Sequence, residues 1–317
     1  MIAPMDTEKR RDLPQGLWVV ATPIGNLGEL SERARGALAQ ADAIYCEDTR
    51  RTGALLTAVG ISGKSLRRLD AHSGARAVED AVARLESGES FAYVSDAGTP
   101  AISDPGSALV AAARARGVRV TPVAGPSAVA ALLSVSGFEG TAFVFRGFFP
   151  RKDGERAREI ALAAAGARSG VADVWVWYES PERIDAALEV LARELPEELR
   201  ENARVIAAKE LTKLHERFFA GNPEETCALV REEIAREGAR GEWCFALSVS
   251  VAARSNETGS VAATGAMSVE ESWRKALLCL LNARVPASEA ARQVSQVFGV
   301  AKNSVYEAGL ALSGKKK

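Results

Sequence analysis

Short apolar runs alternate with helical patterns through the first half of the chain, and this alternation limits the fold more than any other feature. The runs LWVVAT, AIYCE, FAYVS and VRVTPV are each followed by a segment whose apolar residues recur at helical spacing. Strands this apolar, separated by helices, are typical of a parallel sheet that helices cover on both faces. The first half therefore predicts an α/β domain with a mostly parallel sheet.

The pattern restarts at Ala142 with AFVFRGFFP, and in this half some strands follow one another without a helix between them. We therefore expect a second α/β domain with a mixed sheet. After it, RSNETGSVAATGAM has almost no bulky residues and is typical of a flexible linker, and the helices beyond it resemble a helix-turn-helix. In chain order we expect a disordered tail at 1–16, α/β domains at 17–137 and 138–253, a linker at 254–267 and a helical segment at 268–317.

Composition excludes several classes of protein. No stretch approaches the roughly 18 apolar residues of a membrane span, and the N-terminus MIAPMDTEKRRDLPQG has no apolar core for a signal peptide, so we expect a cytoplasmic protein. The four cysteines lie far apart and the chain has only two histidines, which argues against a metal site and against a disulfide framework.

Charge is distributed unevenly along the chain. The formal net charge is −1, yet the residues from 254 onward contain nine Lys and Arg against five Glu. A basic C-terminal segment on an acidic body indicates contact with a polyanion such as RNA. A merely solvated basic surface would show the same charge.

Polar insertions follow the predicted strands at their carboxyl ends, where open α/β sheets bind ligands. The longest is SDAGTPAISDPG after FAYVS. Its Asp104-Pro105 portion is a helix-start signal, but the stretch from Ser95 to Pro100 is not needed for that. Gly98 permits close backbone approach and Asp96 places a carboxylate at the strand end, which favours a small-molecule site over a purely structural loop. No GxG motif is present, which argues against a dinucleotide, Walker or ordinary Rossmann methyltransferase site.

The motifs ATPIGNLGELSERA, CEDTRRTGALL, YVSDAGTPAISDPG, VTPVAGPSAVAALLSVSGF, FRGFFPRK, WYESPERI and KELTKLHE resemble the ribosomal RNA small subunit methyltransferase I family. The resemblance runs from about Leu17 to Val251 and extends to the C-terminal helices. It implies a tetrapyrrole-methylase fold with S-adenosylmethionine (SAM) in the cleft between two α/β domains, and usually a homodimer. It also implies methyl transfer to the 2′-oxygen of a decoding-region cytidine in small-subunit ribosomal RNA, within an assembled or nearly assembled subunit.

The resemblance also implies which residues contact SAM: Thr22, Pro23, Asp96, Ala97, Gly98, Thr99, Ile102, Ser127, Ala128, Tyr178, Lys209 and Leu211. Two positions depart from the family pattern. His72-Ser73-Gly74 stands where His-Asn-Glu is usual, which leaves the role of His72 open, and Lys209 stands where Arg is usual, which keeps the charge without the bidentate fork.

Methyl transfer needs no metal, and a positioned base would help to remove the proton of a weakly acidic ribose hydroxyl. Candidates near strand ends are Glu47, Asp48, Glu179, Glu210 and His72. The sequence favours Glu210, with Lys209 or Lys213 to stabilise the developing oxyanion. An ion pair that closes the cleft is an equally good account of Glu210.

Cations that could hold RNA phosphates are Arg50, Arg51, His72, Arg151, Lys152 and Lys302, although solvated surface cations would have the same sequence. Two other functions stay open at this point. One is a methyltransferase of the same superfamily that acts on a tetrapyrrole precursor or a protein side chain. The other is a nonenzymatic RNA-binding factor built around the C-terminal helices.

Overall fold

The computed structural model describes residues 13–312 except 71–72, 103, 105, 140–141, 250–268, 283–285 and 299. Two five-stranded sheets follow one another along the chain, and a group of helices comes after them. This confirms the predicted fold class. The domain boundaries stay predictions, and the predicted linker lies outside the described residues.

The first sheet is parallel throughout, with strand order β3-β2-β4-β1-β5. Its central strands are buried on both faces, as their apolar sequences predict. Because all five strands run in one direction, the loops that follow them meet at one edge of the sheet. The elements are β1 Leu17–Val20, α1 Glu32–Gln40, β2 Ala43–Cys46, α2 Thr49–Ala58, β3 Leu66–Arg68, α3 Ala75–Glu86, β4 Phe91–Val94, α4 Gly106–Ala115, β5 Val120–Val123 and α5 Ala128–Ser134.

The second sheet is mixed, with strand order β6-β7-β10-β8-β9. Strands β6 and β7 are parallel and the other pairs are antiparallel, which confirms the prediction from the consecutive strands. The elements are β6 Phe143–Phe148, α6 Asp153–Ser169, β7 Val174–Glu179, α7 Ile184–Glu194, α8 Glu197–Arg200, β8 Ala203–Lys209, β9 Arg217–Gly221, α9 Pro223–Glu237 and β10 Trp243–Val249.

Helix α5 joins the two domains. Its buried residues Val129 and Leu132 pack with Val176, Ala208 and Ala246 of the second sheet in one apolar cluster. The opposite face of that sheet packs against α6, α7 and α9 in a separate core. The second sheet therefore has an inner face toward the first domain and an outer face toward its own helices.

Three helices complete the described chain: α10 Val269–Asn282, α11 Ala287–Phe298 and α12 Lys302–Leu312. They share a small core that includes Trp273, Leu277, Val294 and Val305. Among the described residues, no helix is long and apolar enough to cross a membrane, and no cluster of side chains has the composition of a metal site.

Candidate active site between the two sheets

A cleft of about 650 Å³ lies between the loops of the first sheet and the inner face of the second. That volume is within the range of about 300–1,000 Å³ typical of small-molecule sites. Three of the predicted cofactor residues, Thr22, Pro23 and Lys209, lie outside its lining. Nine of them line the cleft: Asp96, Ala97, Gly98, Thr99, Ile102, Ser127, Ala128, Tyr178 and Leu211.

The long insertion after β4 forms one wall of this cleft. Thr22 and Gly98 exchange two backbone hydrogen bonds of 3.0 and 3.1 Å, and the Thr99 hydroxyl donates to the Pro126 carbonyl at 2.9 Å. Gly98 has φ +78°, a conformation that costs glycine little. The Asp104 carboxylate accepts from the Gly106 N–H at the start of α4. Gly98 and Thr99 of the insertion are thus hydrogen-bonded to the loops after β1 and β5. Thr22 contacts this wall from outside the lining of the cleft.

Glu47, Asp96 and Arg51 form a charged group on this wall. The Asp96 N–H donates to Glu47 Oε1 at 3.1 Å, and Arg51 Nη1 lies 3.3 Å from Asp96 Oδ2. Asp96 Oδ1 is buried and has no hydrogen-bond partner among the described residues. Burial raises the pKa of Glu47, and the neighbouring Asp104 and Asp96 carboxylates raise it further. The Asp96 N–H and Arg51 lower the pKa, but the net shift is upward. The wall therefore offers one unpaired carboxylate oxygen and one carboxyl group with a raised pKa.

Asp48 lies outside the lining, although it is adjacent to Glu47. Its carboxylate caps α2 by accepting from the Arg50 N–H at 2.8 Å, and it also binds the Arg50 guanidinium at 3.1 and 2.7 Å. The hydrogen bonds from Arg50 lower the pKa of Asp48 well below its usual range. Its position is that of a helix cap rather than a cleft group.

Glu210 and Lys213 belong to the loop between β8 and β9, also outside the lining. Glu210 has φ +55°, and its Oε1 accepts from Lys213 Nζ and from the Glu242 N–H, both at 2.8 Å. Burial would raise the pKa of Glu210, but Lys213 and the Glu242 N–H outweigh it and lower the pKa. The carboxylate therefore holds this loop against the segment before β10.

Lys209 points away from the cleft. Its ammonium is buried, lies 2.9 Å from Glu233 Oε1 on α9 and sits over the Trp243 ring. Successive side chains of a strand point to opposite faces, so Ala208 belongs to the inner face and Lys209 to the outer one. From this strand end, Leu211 is the residue that reaches the cleft.

The predicted RNA-binding cations are spread over the surface. Arg51 lines the cleft, while Arg50 lies beside it with its side chain 89% exposed. Arg151 and Lys152 are exposed between β6 and α6, and Lys302 begins α12. His72 lies outside the described residues.

Sequence reasoning predicted Tyr178 but missed the phenylalanines that line the cleft beside it. Phe143, Phe145 and Phe148 of β6 line the cleft, together with Tyr178 and Cys244. Burial raises the pKa of Tyr178 to about 12, and that of Cys244 to about 12, so both groups stay protonated at neutral pH. The run of phenylalanines in FVFRGFF could have indicated an aromatic site. An ordinary edge strand that packs on a hydrophobic core has a similar sequence, however.

Two family models match the chain. Residues 16–226 match the Tetrapyrrole (Corrin/Porphyrin) Methylases, and residues 274–313 match the RsmI C-terminal HTH domain. The protein named ribosomal RNA small subunit methyltransferase I from Neisseria meningitidis serogroup B (strain MC58) is 39% identical over 95% of this chain and 94% of its own length. The protein of that name from Escherichia coli O157:H7 is 34% identical over 98% of this chain and 100% of its own length.

Solved structures share the fold at low sequence identity. Diphthine synthase superposes with a TM-score of 0.52 at 14% identity, covering 74% of this chain and 89% of its own. The methyltransferase CobJ superposes with a TM-score of 0.51 at 17% identity, covering 76% and 95%. These two likenesses concern architecture alone.

Proposed function

Since the chain belongs to the ribosomal RNA small subunit methyltransferase I family of the tetrapyrrole methylases, we propose that it methylates small-subunit ribosomal RNA with SAM as methyl donor. The acceptor that we propose is the ribose 2′-oxygen of one cytidine in the decoding region. The observation that carries the proposal is the extent of the similarity, which covers both α/β domains and the C-terminal helices. The similarity to diphthine synthase and CobJ, by contrast, concerns the fold and does not support a particular substrate.

The residues of the cleft fit SAM. Asp96 Oδ1 is a buried acceptor without a partner among the described residues, and burying a carboxylate oxygen without a hydrogen bond is costly. A ribose hydroxyl or an ammonium group of the cofactor would satisfy it. The backbone at Gly98 and the side chains of Ile102 and Tyr178 would enclose the less polar parts.

We propose Glu47 as the general base. When bound, SAM supplies an electrophilic methyl group on a positively charged sulfur. Glu47 lines the cleft, and its Oε1 is held by the Asp96 N–H, so Oε2 is the atom that would take the 2′-hydroxyl proton. A carboxylate whose pKa is raised by burial is a stronger base than a solvated one, and a positioned base contributes about 10²–10⁴-fold in rate.

The geometry favours Glu47 over Asp48 and Glu210, two of the other acids that the sequence singled out. Glu179 also lines the cleft, with its Oε1 bonded to the Arg183 guanidinium. Asp48 caps a helix, and the Glu210 carboxylate is bonded to Lys213 and to the Glu242 N–H. Lys213 is engaged with Glu210 and with Glu242, whose carboxylate lies 3.2 Å from its ammonium. We assign Glu210 and Lys213 the role of holding the loop that borders the cleft.

For the RNA we propose contacts with Arg50 and Arg51 beside the cleft, with Arg151 and Lys152 after β6, and with Lys302 on α12. Guanidinium and ammonium groups bind phosphates by charge-assisted hydrogen bonds. A cytoplasmic homodimer acting on an assembled or nearly assembled subunit completes the proposal.

The test uses purified protein, SAM with an isotopically labelled methyl group, and small ribosomal subunits from a strain in which the gene for this protein is deleted. We expect label in a single 2′-O-methylcytidine, located by nuclease digestion and mass spectrometry, and faster labelling of assembled subunits than of the free RNA. Label on a base, or transfer to a tetrapyrrole precursor but not to RNA, would contradict the proposal.

A further inference from the structure

Strand β6 contains a β-bulge at the cleft. Phe145 is opposite Val176 on β7, whereas Phe148 is opposite Tyr178, so Arg146 and Gly147 together face the single residue Trp177. Gly147 has φ +72°, and a Cβ added there would meet no atom within 4 Å. The extra residue is thus accommodated by backbone conformation. Bulges of this kind re-aim side chains and are common beside active sites.

The bulge changes the direction of Phe148. In a regular strand, Phe143, Phe145 and Gly147 would share one face and Phe148 would lie on the other. With the extra residue, Phe143, Phe145 and Phe148 all line the cleft. Without the bulge, the cleft face would present a glycine at this position.

The outer face of the sheet anchors the bulge. The Arg146 guanidinium donates to Glu159 Oε1 at 2.6 Å and to Oε2 at 3.0 Å, and Trp177 Nε1 donates to the same Oε1 at 3.0 Å. The two strands that form the bulge therefore share one carboxylate on α6. Such a bidentate pair restricts Arg146 and with it the backbone on both sides.

Phe148 is 64% exposed although it lines the cleft. Its ring packs on Tyr178 at a centroid distance of 5.8 Å and an interplanar angle of 70°. That contact supports the ring but leaves most of it uncovered. The exposed cations Arg151 and Lys152 follow it in the chain. An exposed aromatic ring beside cations is the combination with which proteins bind single-stranded nucleic acid, by stacking on bases and pairing with phosphates.

We propose that Phe148 stacks on the base of the acceptor nucleotide and so fixes its ribose in the cleft. This inference rests on the proposed function, because it takes RNA as the substrate. Bringing a 2′-oxygen deep into the cleft would draw its nucleotide out of the stack of its neighbours, and a new stacking partner would offset part of that cost. Phe148 is then a substrate-binding residue, and the bulge at Gly147 is the structural device that presents it.

The test compares Phe148→Ala with Phe148→Trp, which keeps a stacking surface, and with Leu162→Ala, which shortens an exposed apolar side chain on α6 away from the cleft. We measure single-turnover methylation at varied concentrations of small ribosomal subunits, SAM affinity by calorimetry, melting temperature, and mass in solution. Because base stacking on an aromatic ring is worth about 1–3 kcal/mol, Phe148→Ala should raise the half-saturating subunit concentration about 5- to 150-fold. Phe148→Trp and Leu162→Ala should stay within about threefold of the wild type.

The other outcomes overturn the inference in distinguishable ways. If Phe148→Ala loses SAM affinity to the same extent, the ring belongs to the cofactor site. If Phe148→Ala instead changes the mass in solution, the ring is a contact between copies of the chain. If the variant changes none of these measurements, Phe148 is a surface residue with no role in binding RNA. If the wild type labels no ribosomal RNA, the proposed function itself fails, which the wild-type reaction shows before any variant is compared.

Discussion

Replacing Glu47 by Gln removes a negative charge from the cleft but keeps an oxygen that can accept the Asp96 N–H. The loop should therefore stay in place while the base is lost, and we expect the single-turnover rate to fall about 10²–10⁴-fold at unchanged SAM affinity. The matched variant is Glu210→Gln, which makes the same chemical change in the neighbouring loop. It should reduce the rate far less.

The two variants should change stability in opposite directions. Folding raises the pKa of Glu47, so the folded state holds its proton at pH values where the unfolded state has lost it. The contribution of Glu47 to stability is therefore fullest below its unfolded pKa of about 4.3 and declines as the pH rises through the folded pKa. Glu47→Gln, which lacks this decline, should be as stable as the wild type at pH 7, or more stable.

Folding shifts the pKa of Glu210 in the opposite direction. Its folded pKa is lowered, so its contribution is present above the unfolded pKa of about 4.3 and is lost as the pH falls through the folded pKa. Because Gln keeps an oxygen for Lys213 and the Glu242 N–H, and because the site is partly exposed, we expect Glu210→Gln to cost about 1 kcal/mol at pH 7.

The assays are single-turnover methylation of small ribosomal subunits across pH, calorimetry with SAM, and urea unfolding at several pH values. The wild-type rate should fall at low pH as Glu47 becomes protonated. The pH profile of Glu47→Gln should lack this decrease. A near-normal rate in Glu47→Gln beside a collapsed rate in Glu210→Gln would refute the assignment and restore the one that the sequence favoured. Near-normal rates in both variants would mean that neither carboxylate is the base.

Three further changes test the site. Asp96→Ala should weaken SAM binding about tenfold or more in calorimetry, because a buried acceptor is lost; unchanged affinity would remove the loop from the cofactor site. Gly25→Ala should destabilise the protein by about 1–3 kcal/mol in urea unfolding, because its Cβ would overlap Lys213 Cγ in the facing loop. Its control is Gly154→Ala, whose Cβ meets nothing within 4 Å, and equal stability of the two would contradict the clash. Truncation after Val261 should preserve SAM binding but slow ribosomal methylation; a full rate at every salt concentration would make the C-terminal helices dispensable.

Much of the fold could be predicted because its signals are local. Burial on both faces of a strand requires a continuous apolar run, and a helix between strands requires a repeat near 3.6 residues, so LWVVAT or FAYVS indicates its own environment. The parallel direction of the first sheet then places the polar insertions at one edge. For that reason the residues from Asp96 to Thr99 could be predicted to lie at that edge, and they line the cleft there.

Apolar periodicity alone predicts the two α/β sheets with polar loops at their strand ends, whereas contacts between distant segments decide which side chains enter the cleft. Glu47 and Glu210 both follow strands, but Glu47 lines the cleft, whereas Glu210 lies outside the lining and is bonded to Lys213 and to the Glu242 N–H. Phe148 reaches the cleft because β6 takes an extra residue against β7, a shift that exists only in the pair of strands. The physical reason is that side-chain direction at a strand end depends on register and on partners distant in the chain, whereas apolar periodicity depends on the segment alone.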